Sequence, residues 1–182
     1  MNICIFPGTF NPIHEGHLKM AEYALEKYDF DKIIFIPAYI PPHKEINPKL
    51  AEHRYEMVKL AISDCPRFEI SDVEYKSEGK SYSLITVKKI IEQYRIKSRL
   101  NFIIGTDAFE KINTWYKAED LKPLVHFIVF PRRGAELEEK QGWDYELTNM
   151  EYVDVSSTDI RAGLICSTKI EGYIKKHGLY KI

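Results

Sequence analysis

Apolar residues fall along this chain in short unbroken runs. NICIF (2–6), KIIFIPA (32–38), LNFIIG (100–105) and VHFIVF (125–130) are four such runs, and EYVDV (151–155) is a shorter fifth. Runs without a polar face suit strands buried on both sides, as in a parallel sheet covered by helices. Between them the period changes. Leu18, Ala21, Leu25 and Tyr28 recur at steps of three and four, as do Leu84, Val87, Ile91 and Tyr94; each set predicts an amphipathic helix. AEHRYEMVKLAIS (51–63) predicts a further helix, stopped near Pro66. This alternation predicts an α/β, Rossmann-like fold: a doubly wound, mainly parallel sheet of five to six strands flanked by helices. With no internal repeat or low-complexity linker, residues 1–182 are expected to form one domain.

Composition narrows the function. Hydrophobic residues make up 45% and charged residues 29% of the 182, the profile of a soluble globular protein. The formal charge of −1 lacks the basic excess of a nucleic-acid binder, so an anionic ligand must be held locally. No apolar run approaches the length of a membrane span. MNICIFPG has neither the basic region nor the long apolar stretch of a signal peptide. Cys4, Cys65 and Cys166 are odd in number, widely separated and without zinc spacing. A cytoplasmic protein that engages neither membrane nor nucleic acid is expected.

In doubly wound sheets, ligands sit beyond the carboxyl ends of the strands. The distinctive residues fall there: GTFNPIHEGH after the first strand, PAYIPPHK after the second, then GTD, PRRG and SSTDIR. The first of these carries His14 and His17 between glycines. Zinc would need a third ligand and ordinarily histidines at i and i+4, whereas these are at i and i+3 with Gly16 between them. Alternatively, Gly8, Pro12 and Gly16 only shape a turn and the histidines are exposed. A phosphate fits better. Glycines let backbone approach a ligand, a helix starting near Gly16 or His17 offers N–H groups to an anion, and histidine near phosphate tends to hold its proton.

GTFNPIHEGHL closely resembles the first signature of the nucleotidyltransferase superfamily marked by a His- or Thr-x-Gly-His element. PPHK, SYSLIT, FIIGTD with the TWY that follows, and VSSTDIR extend the likeness to the bacterial nicotinate mononucleotide adenylyltransferases over nearly the whole chain. The resemblance implies a nucleotidyltransferase-type sheet and transfer of an adenylyl group from ATP to nicotinate mononucleotide, with Mg2+ accompanying ATP. By resemblance, Gly8, Thr9 and Phe10 give backbone contacts around both nucleotides. His14, His17 and Arg161 are the catalytic residues, lying along the ATP phosphates with His14 nearest the phosphorus under attack. Ser157 and Thr158 hold the polyphosphate tail, and Gly105 and Asp107 meet the ribose or adenine. His43, Lys44, Tyr82, Thr86, Trp115 and Arg132 fall on the mononucleotide side, with Arg133 nearby and Arg54 supporting the PPHK loop. Plainer roles stand beside these: an N-cap and a solvated arginine in SSTDIR, helix capping by Asp107, core packing of Trp115 with Phe109 and Ile112, and a proline-stiffened exposed loop at PPHK. The family's SYT reads SYS here, with Ser83 in place of Thr, and Asn11 stands where relatives often carry Asp.

The chemistry implied needs no general base and no covalent intermediate, because a phosphomonoester is largely ionised at neutral pH. No HD-type hydrolase extension follows the transferase motifs. Rival readings are a transferase acting on phosphopantetheine and a non-catalytic nucleotide sensor; a tRNA synthetase-like fragment is disfavoured by size and by the missing Lys-rich motif. The oligomeric state, a homo-oligomer included, and the preference for the acid over the amide mononucleotide are left open.

Overall fold

The computed structural model describes residues 1–132, 136–150, 156–162 and 169–180. In chain order the elements are β1 (Ile3–Gly8), α1 (Glu15–Tyr28), β2 (Lys32–Pro37), α2 (Ala51–Ala61), β3 (Phe68–Ile70), α3 (Ser83–Tyr94), β4 (Leu100–Gly105), α4 (Thr106–Glu110), α5 (Ala118–Leu121), β5 (Val125–Phe130), β6 (Tyr145–Leu147), α6 (Ser157–Arg161) and α7 (Glu171–His177). The strands form one six-stranded sheet in the order β3-β2-β1-β4-β5-β6, with every pairing parallel. This is the order of a doubly wound sheet whose direction reverses between β1 and β4.

The strand period of two divides the apolar runs between two cores. Cys4, Phe6, Ile33, Phe35, Ile103, Ile128 and Phe130 face one side, where Leu18 and Ala21 of α1, Met57 and Val58 of α2, Ile160 of α6 and Ile174 of α7 cover them. Ile3, Ile5, Ile34, Ile36, Phe102, Ile104, Phe127 and Val129 face the other, under Leu84, Val87 and Ile90 of α3, Phe109 of α4 and Leu121 of α5. Both faces are occupied, which is why four of the strands read as continuous apolar runs.

The edges depart from the expectation. β3 and β6 have three residues each and flank the sheet, with Leu147 52% exposed, so neither carries an apolar run. The predicted strand EYVDV (151–155) lies outside the described residues, as do Arg133 and Cys166. α2 ends at Ala61, ahead of Pro66. Cys4 and Cys65 are free thiols. Among the described residues no helix is long and apolar enough to cross a membrane.

Candidate active site

The turn that follows β1 is held from all sides. A Cβ on Gly8 would meet the Phe10 ring at 3.0 Å. Phe10 takes left-handed backbone (φ 49°) and buries its ring against Phe6, Phe35 and His17. Such backbone costs a non-glycine residue about 1–2 kcal/mol and persists only where the surroundings over-determine it. Distant side chains supply that constraint. Fully buried Arg54 of α2 donates to the carbonyls of Thr9 (2.8 Å), Ala38 (2.6 Å) and Tyr39 (3.2 Å), joining the loops after β1 and β2. Arg161 donates to the Asn11 carbonyl (2.8 Å) and the Ser157 hydroxyl to the Pro12 carbonyl (2.8 Å). The Tyr180 hydroxyl donates to the Asn11 side-chain oxygen (2.7 Å).

The two histidines cap α1 reciprocally. His14 is the N-cap: its Nδ1 accepts from the Gly16 N–H (3.0 Å), and His17 Nδ1 accepts from the His14 N–H (3.1 Å). Imidazoles here take the parts that Ser/Thr and Glu take in an ordinary capping box. The rings stack at 3.8 Å and 25°. Only an unprotonated Nδ1 can accept a backbone N–H, so in each neutral ring the proton sits on Nε2. The site therefore holds two parallel N–H donors of fixed tautomer. This corrects the expectation of free N–H groups at Gly16 and His17, since the Gly16 N–H is already taken.

Charge follows the same logic. Burial lowers the His14 pKa to about 4. His17 is held well below the usual range by burial, then by the charges of His14 and Lys44. Burial thus favours the neutral form of both rings. Cationic charge lies instead on Arg161 and Lys44. Partial desolvation and then the Arg161 charge lower the Lys44 pKa, with the Asp107 charge opposing, although the side chain as a whole is exposed. A guanidinium has five donors, and among the described residues Arg161 bonds the Asn11 carbonyl and Thr158 Oγ1 (3.2 Å). Ser157 has spent its one hydroxyl proton on Pro12. Ser156, not Ser157, caps α6, accepting from the Asp159 N–H (3.1 Å).

A second group of residues gathers beside the first. Trp115 packs one side against Phe102 and Phe127 and turns toward His43, whose ring lies near-parallel at 6.5 Å. Core packing and an open face thus hold together for this indole. Tyr82, at the start of α3, stacks on Tyr116 at 4.3 Å. Thr86 is not among them: it is buried and its hydroxyl donates to Glu74 (2.8 Å). Burial pushes the Glu74 carboxyl up to about 7, against hydrogen bonds from Thr86 and Ser81 and the charge of Arg54. Ser81 Oγ in turn accepts from the N–H groups of Tyr39 and Ile40 (3.2 Å each). Asp107 makes no capping bond in α4 and pairs with Arg132 (3.4 Å), both groups largely exposed. Gly105 precedes it with open space at its Cα, the nearest atom to a built Cβ being the Phe130 carbonyl at 4.0 Å. Glu74, Ser81 and Tyr180 carried no local signal in the sequence, because their partners lie 12 to 169 residues away.

Among the described residues no group of three or more His, Cys, Asp or Glu side chains is arranged to hold a metal ion. The histidine Nδ1 atoms are already committed to backbone N–H groups, so the hydrogens of the neutral rings sit on Nε2.

A doubly wound parallel sheet with an imidazole-bearing turn at its switch point accords with a nucleotidyltransferase: residues 5–163 match the cytidylyltransferase-like family, and the chain belongs to it. Within that family it falls among the nicotinate-nucleotide adenylyltransferases. It is 39% identical to the probable nicotinate-nucleotide adenylyltransferase of Caldicellulosiruptor saccharolyticus, with 100% of each chain covered. It is 40% identical to that of Desulfitobacterium hafniense strain Y51, covering 99% of this chain and 96% of the relative. The same fold occurs in Plasmodium falciparum nicotinic acid mononucleotide adenylyltransferase complexed with NaAD, with a TM-score of 0.81, 21% identity, and 98% and 97% of the two chains covered.

Proposed function

We propose that this chain transfers the adenylyl group of ATP to nicotinate mononucleotide, releasing pyrophosphate and forming deamido-NAD in the biosynthesis of NAD. The full-length relatives bear that activity in their names. The observation that carries the site assignment is the meeting of two clusters 145 and 150 residues apart: Ser157 and Arg161 bond the carbonyls of Pro12 and Asn11, directly before the paired imidazoles.

The acceptor phosphate, with a second pKa of about 6, is mostly dianionic at neutral pH. One of its oxygens attacks the α-phosphorus in line. The new P–O bond forms as the bridge to the β-phosphorus breaks, and the electron pair leaves on pyrophosphate. No proton has to be removed from the nucleophile, so the site needs donors, not a base. The Nε2–H groups of His14 and His17 serve the α- and β-phosphates, His14 nearest the reacting phosphorus, with cationic support from Arg161 and Lys44. Thr9 and Phe10 contribute backbone, and Ser157 and Thr158 seat the loop and the far phosphates. Among the described residues no side-chain cluster would hold a metal, so a magnesium ion accompanying ATP would be carried by the nucleotide and would supply further charge opposite the phosphates. Gly105 and Asp107 border the adenosine. Trp115 and His43 take the pyridine ring, whose positive charge an indole face attracts by about 0.5–2 kcal/mol. Tyr82 and Arg132 edge the same side, and Thr86 acts through the seating of α3. The free thiols Cys4 and Cys65 suit a reducing cytoplasm.

Pyrophosphate release measured with ATP against nicotinate mononucleotide, its amide and phosphopantetheine tests the reading. The acid mononucleotide is expected to give the largest kcat/KM. Turnover only with phosphopantetheine would move the chain to another branch of the family. Tight binding of an ATP analogue without release from any acceptor would make it a nucleotide sensor.

A further inference from the structure

The phosphate loop has one anchor that the transfer chemistry does not use. α7 stops at left-handed Gly178 (φ 60°), with the Leu179 N–H on the Ile174 carbonyl (3.0 Å) and the Gly178 N–H on that of Lys175 (3.3 Å). This is a Schellman stop, which turns the chain back toward the body of the protein. Leu179 is buried in the same apolar cluster as Phe10, Ile13 and Ile160. The helix is itself fixed on α2: Ile170 and Ile174 are fully buried, and His53 Nδ1 lies 2.8 Å from the Tyr173 hydroxyl. Tyr180, the next residue, is thereby delivered behind the loop.

Its backbone is left-handed (φ 58°), so two strained non-glycine residues, Phe10 and Tyr180, flank Asn11. Strain at such positions survives where the surroundings fix both ends. The phenol meets the Asn11 side chain at 2.7 Å while Arg161 holds the Asn11 backbone carbonyl at 2.8 Å. Asn11 is thus gripped at both of its oxygens. Burial pushes the phenol up to about 12 despite the nearby charges of Arg54 and Arg161, so it remains a donor across the working range. Its neighbours are therefore the two arginines that also bond the carbonyls of Thr9 and Asn11.

We propose that Tyr180 is a positioning residue for adenylyl transfer: through Asn11 it fixes the segment between β1 and α1 so that His14 and His17 face the triphosphate. The inference rests on reading that loop as the triphosphate site. Without the hydroxyl, Asn11 keeps one anchor of two, and the turn samples orientations in which the imidazole donors miss the phosphates.

Tyr180→Phe, Asn11→Ala and the double variant test it, each measured for affinity toward a non-hydrolysable ATP analogue, for pyrophosphate-release kinetics and for thermal midpoint. Tyr180→Phe is expected to lose about 3- to 10-fold in analogue affinity and in kcat/KM for ATP, the range of one net hydrogen bond. The KM for the acceptor mononucleotide should not move. The double variant should be no worse than the worse single, because both substitutions break one link. Losses that multiply in the double variant overturn the proposal, as do Tyr180→Phe affinities within twofold of wild type whatever the midpoint; the hydroxyl then only seats α7. Wild-type protein that binds the analogue yet releases no pyrophosphate would instead sink the assigned activity, and the binding cycle would still decide on Tyr180.

Discussion

The loops after β1 and β2 leave adjacent strands at the same edge of the sheet, yet they are built on different plans. In the first, the carbonyls of Thr9, Asn11 and Pro12 and the side chain of Asn11 are all taken by residues from α2, α6 and the segment after α7. In the second, the anchors among the described residues fall at its start: Arg54 takes the carbonyls of Ala38 and Tyr39, and Ser81 takes the N–H groups of Tyr39 and Ile40. Beyond Pro42, residues His43, Lys44 and Glu45 are exposed. The contrast has a chemical sense. Stabilising charge that develops during transfer requires dipoles already aimed, since any reorganisation adds to the barrier. Admitting and releasing a mononucleotide requires contacts that can be made and broken in each turnover. Arg54 is the hinge pin between the two plans, bonded to both loops from one buried guanidinium.

The largest expected effect therefore belongs to the fixed loop. If the proposed assignment holds, His17→Ala removes a donor to the phosphates and lowers kcat by about 10² to 10³, the cost of losing one preorganised donor. His14 needs a finer substitution, because alanine would also remove the α1 cap, worth about 1 kcal/mol. His14→Asn keeps an oxygen able to accept from the Gly16 N–H while deleting the Nε2 donor. Its kcat should fall as far as that of His17→Ala while its urea midpoint stays near wild type. Wild-type turnover in both variants would break the assignment of the first loop as the catalytic one.

How much of this could be read from sequence differs between the two plans for the same reason. The four long strands announce themselves as apolar runs because both of their faces are covered. β3 and β6 do not, being three residues long at the edges of the sheet. The histidines, SSTDIR and TWY are legible because their chemistry is concentrated in a few consecutive residues. Glycines and a proline around two histidines mark a candidate phosphate turn without coordinates. What holds that turn cannot. Arg54 sits in a helix of ordinary amphipathic pattern, and nothing local says that it is fully buried and bonded to three carbonyls. Tyr180 reaches a residue 169 positions away. The capping role of the histidines is equally hidden: reciprocal capping uses both Nδ1 atoms, and burial lowers both pKa values.

Those lowered values give the second prediction. His14 has a folded pKa of about 4 against the ordinary 6.5, and His17 is shifted the same way. Between those values the unfolded chain takes up protons that the folded state refuses. The stability that these two histidines contribute is therefore fully present above about pH 6.5 and is lost as pH falls toward 4. At about 1.36 kcal/mol per unit, the His14 shift alone corresponds to roughly 3 kcal/mol across that window. Glu74, pushed up to about 7 by burial, acts with the opposite sign over nearly the same window, so the readout is the difference between the urea-unfolding pH profiles of wild type and His14→Asn. That difference should grow between pH 6.5 and 4; two parallel profiles would mean that the turn opens to let His14 titrate, and the contrast between a fixed and an adaptable loop would weaken.

The smallest effect is expected at the adaptable loop. His43 is exposed and touches Trp115 only through near-parallel rings 6.5 Å apart, at the long end of aromatic contact. A stacked pair of this kind is worth about 0.5–1.5 kcal/mol, so His43→Ala should raise the KM for nicotinate mononucleotide by about 2- to 10-fold. The KM for ATP and the saturated rate should stay within twofold, because no hydrogen bond of the fixed loop passes through His43. The two constants separate the possible roles. A KM effect confined to the acceptor makes the second loop a grip on the mononucleotide, made and released in each cycle. A fall in kcat approaching that of His17→Ala would mean that the loop after β2 carries transition-state contacts of its own, and then the exposure of His43 describes only the empty enzyme while Arg54 joins two catalytic loops instead of a rigid one and a pliant one.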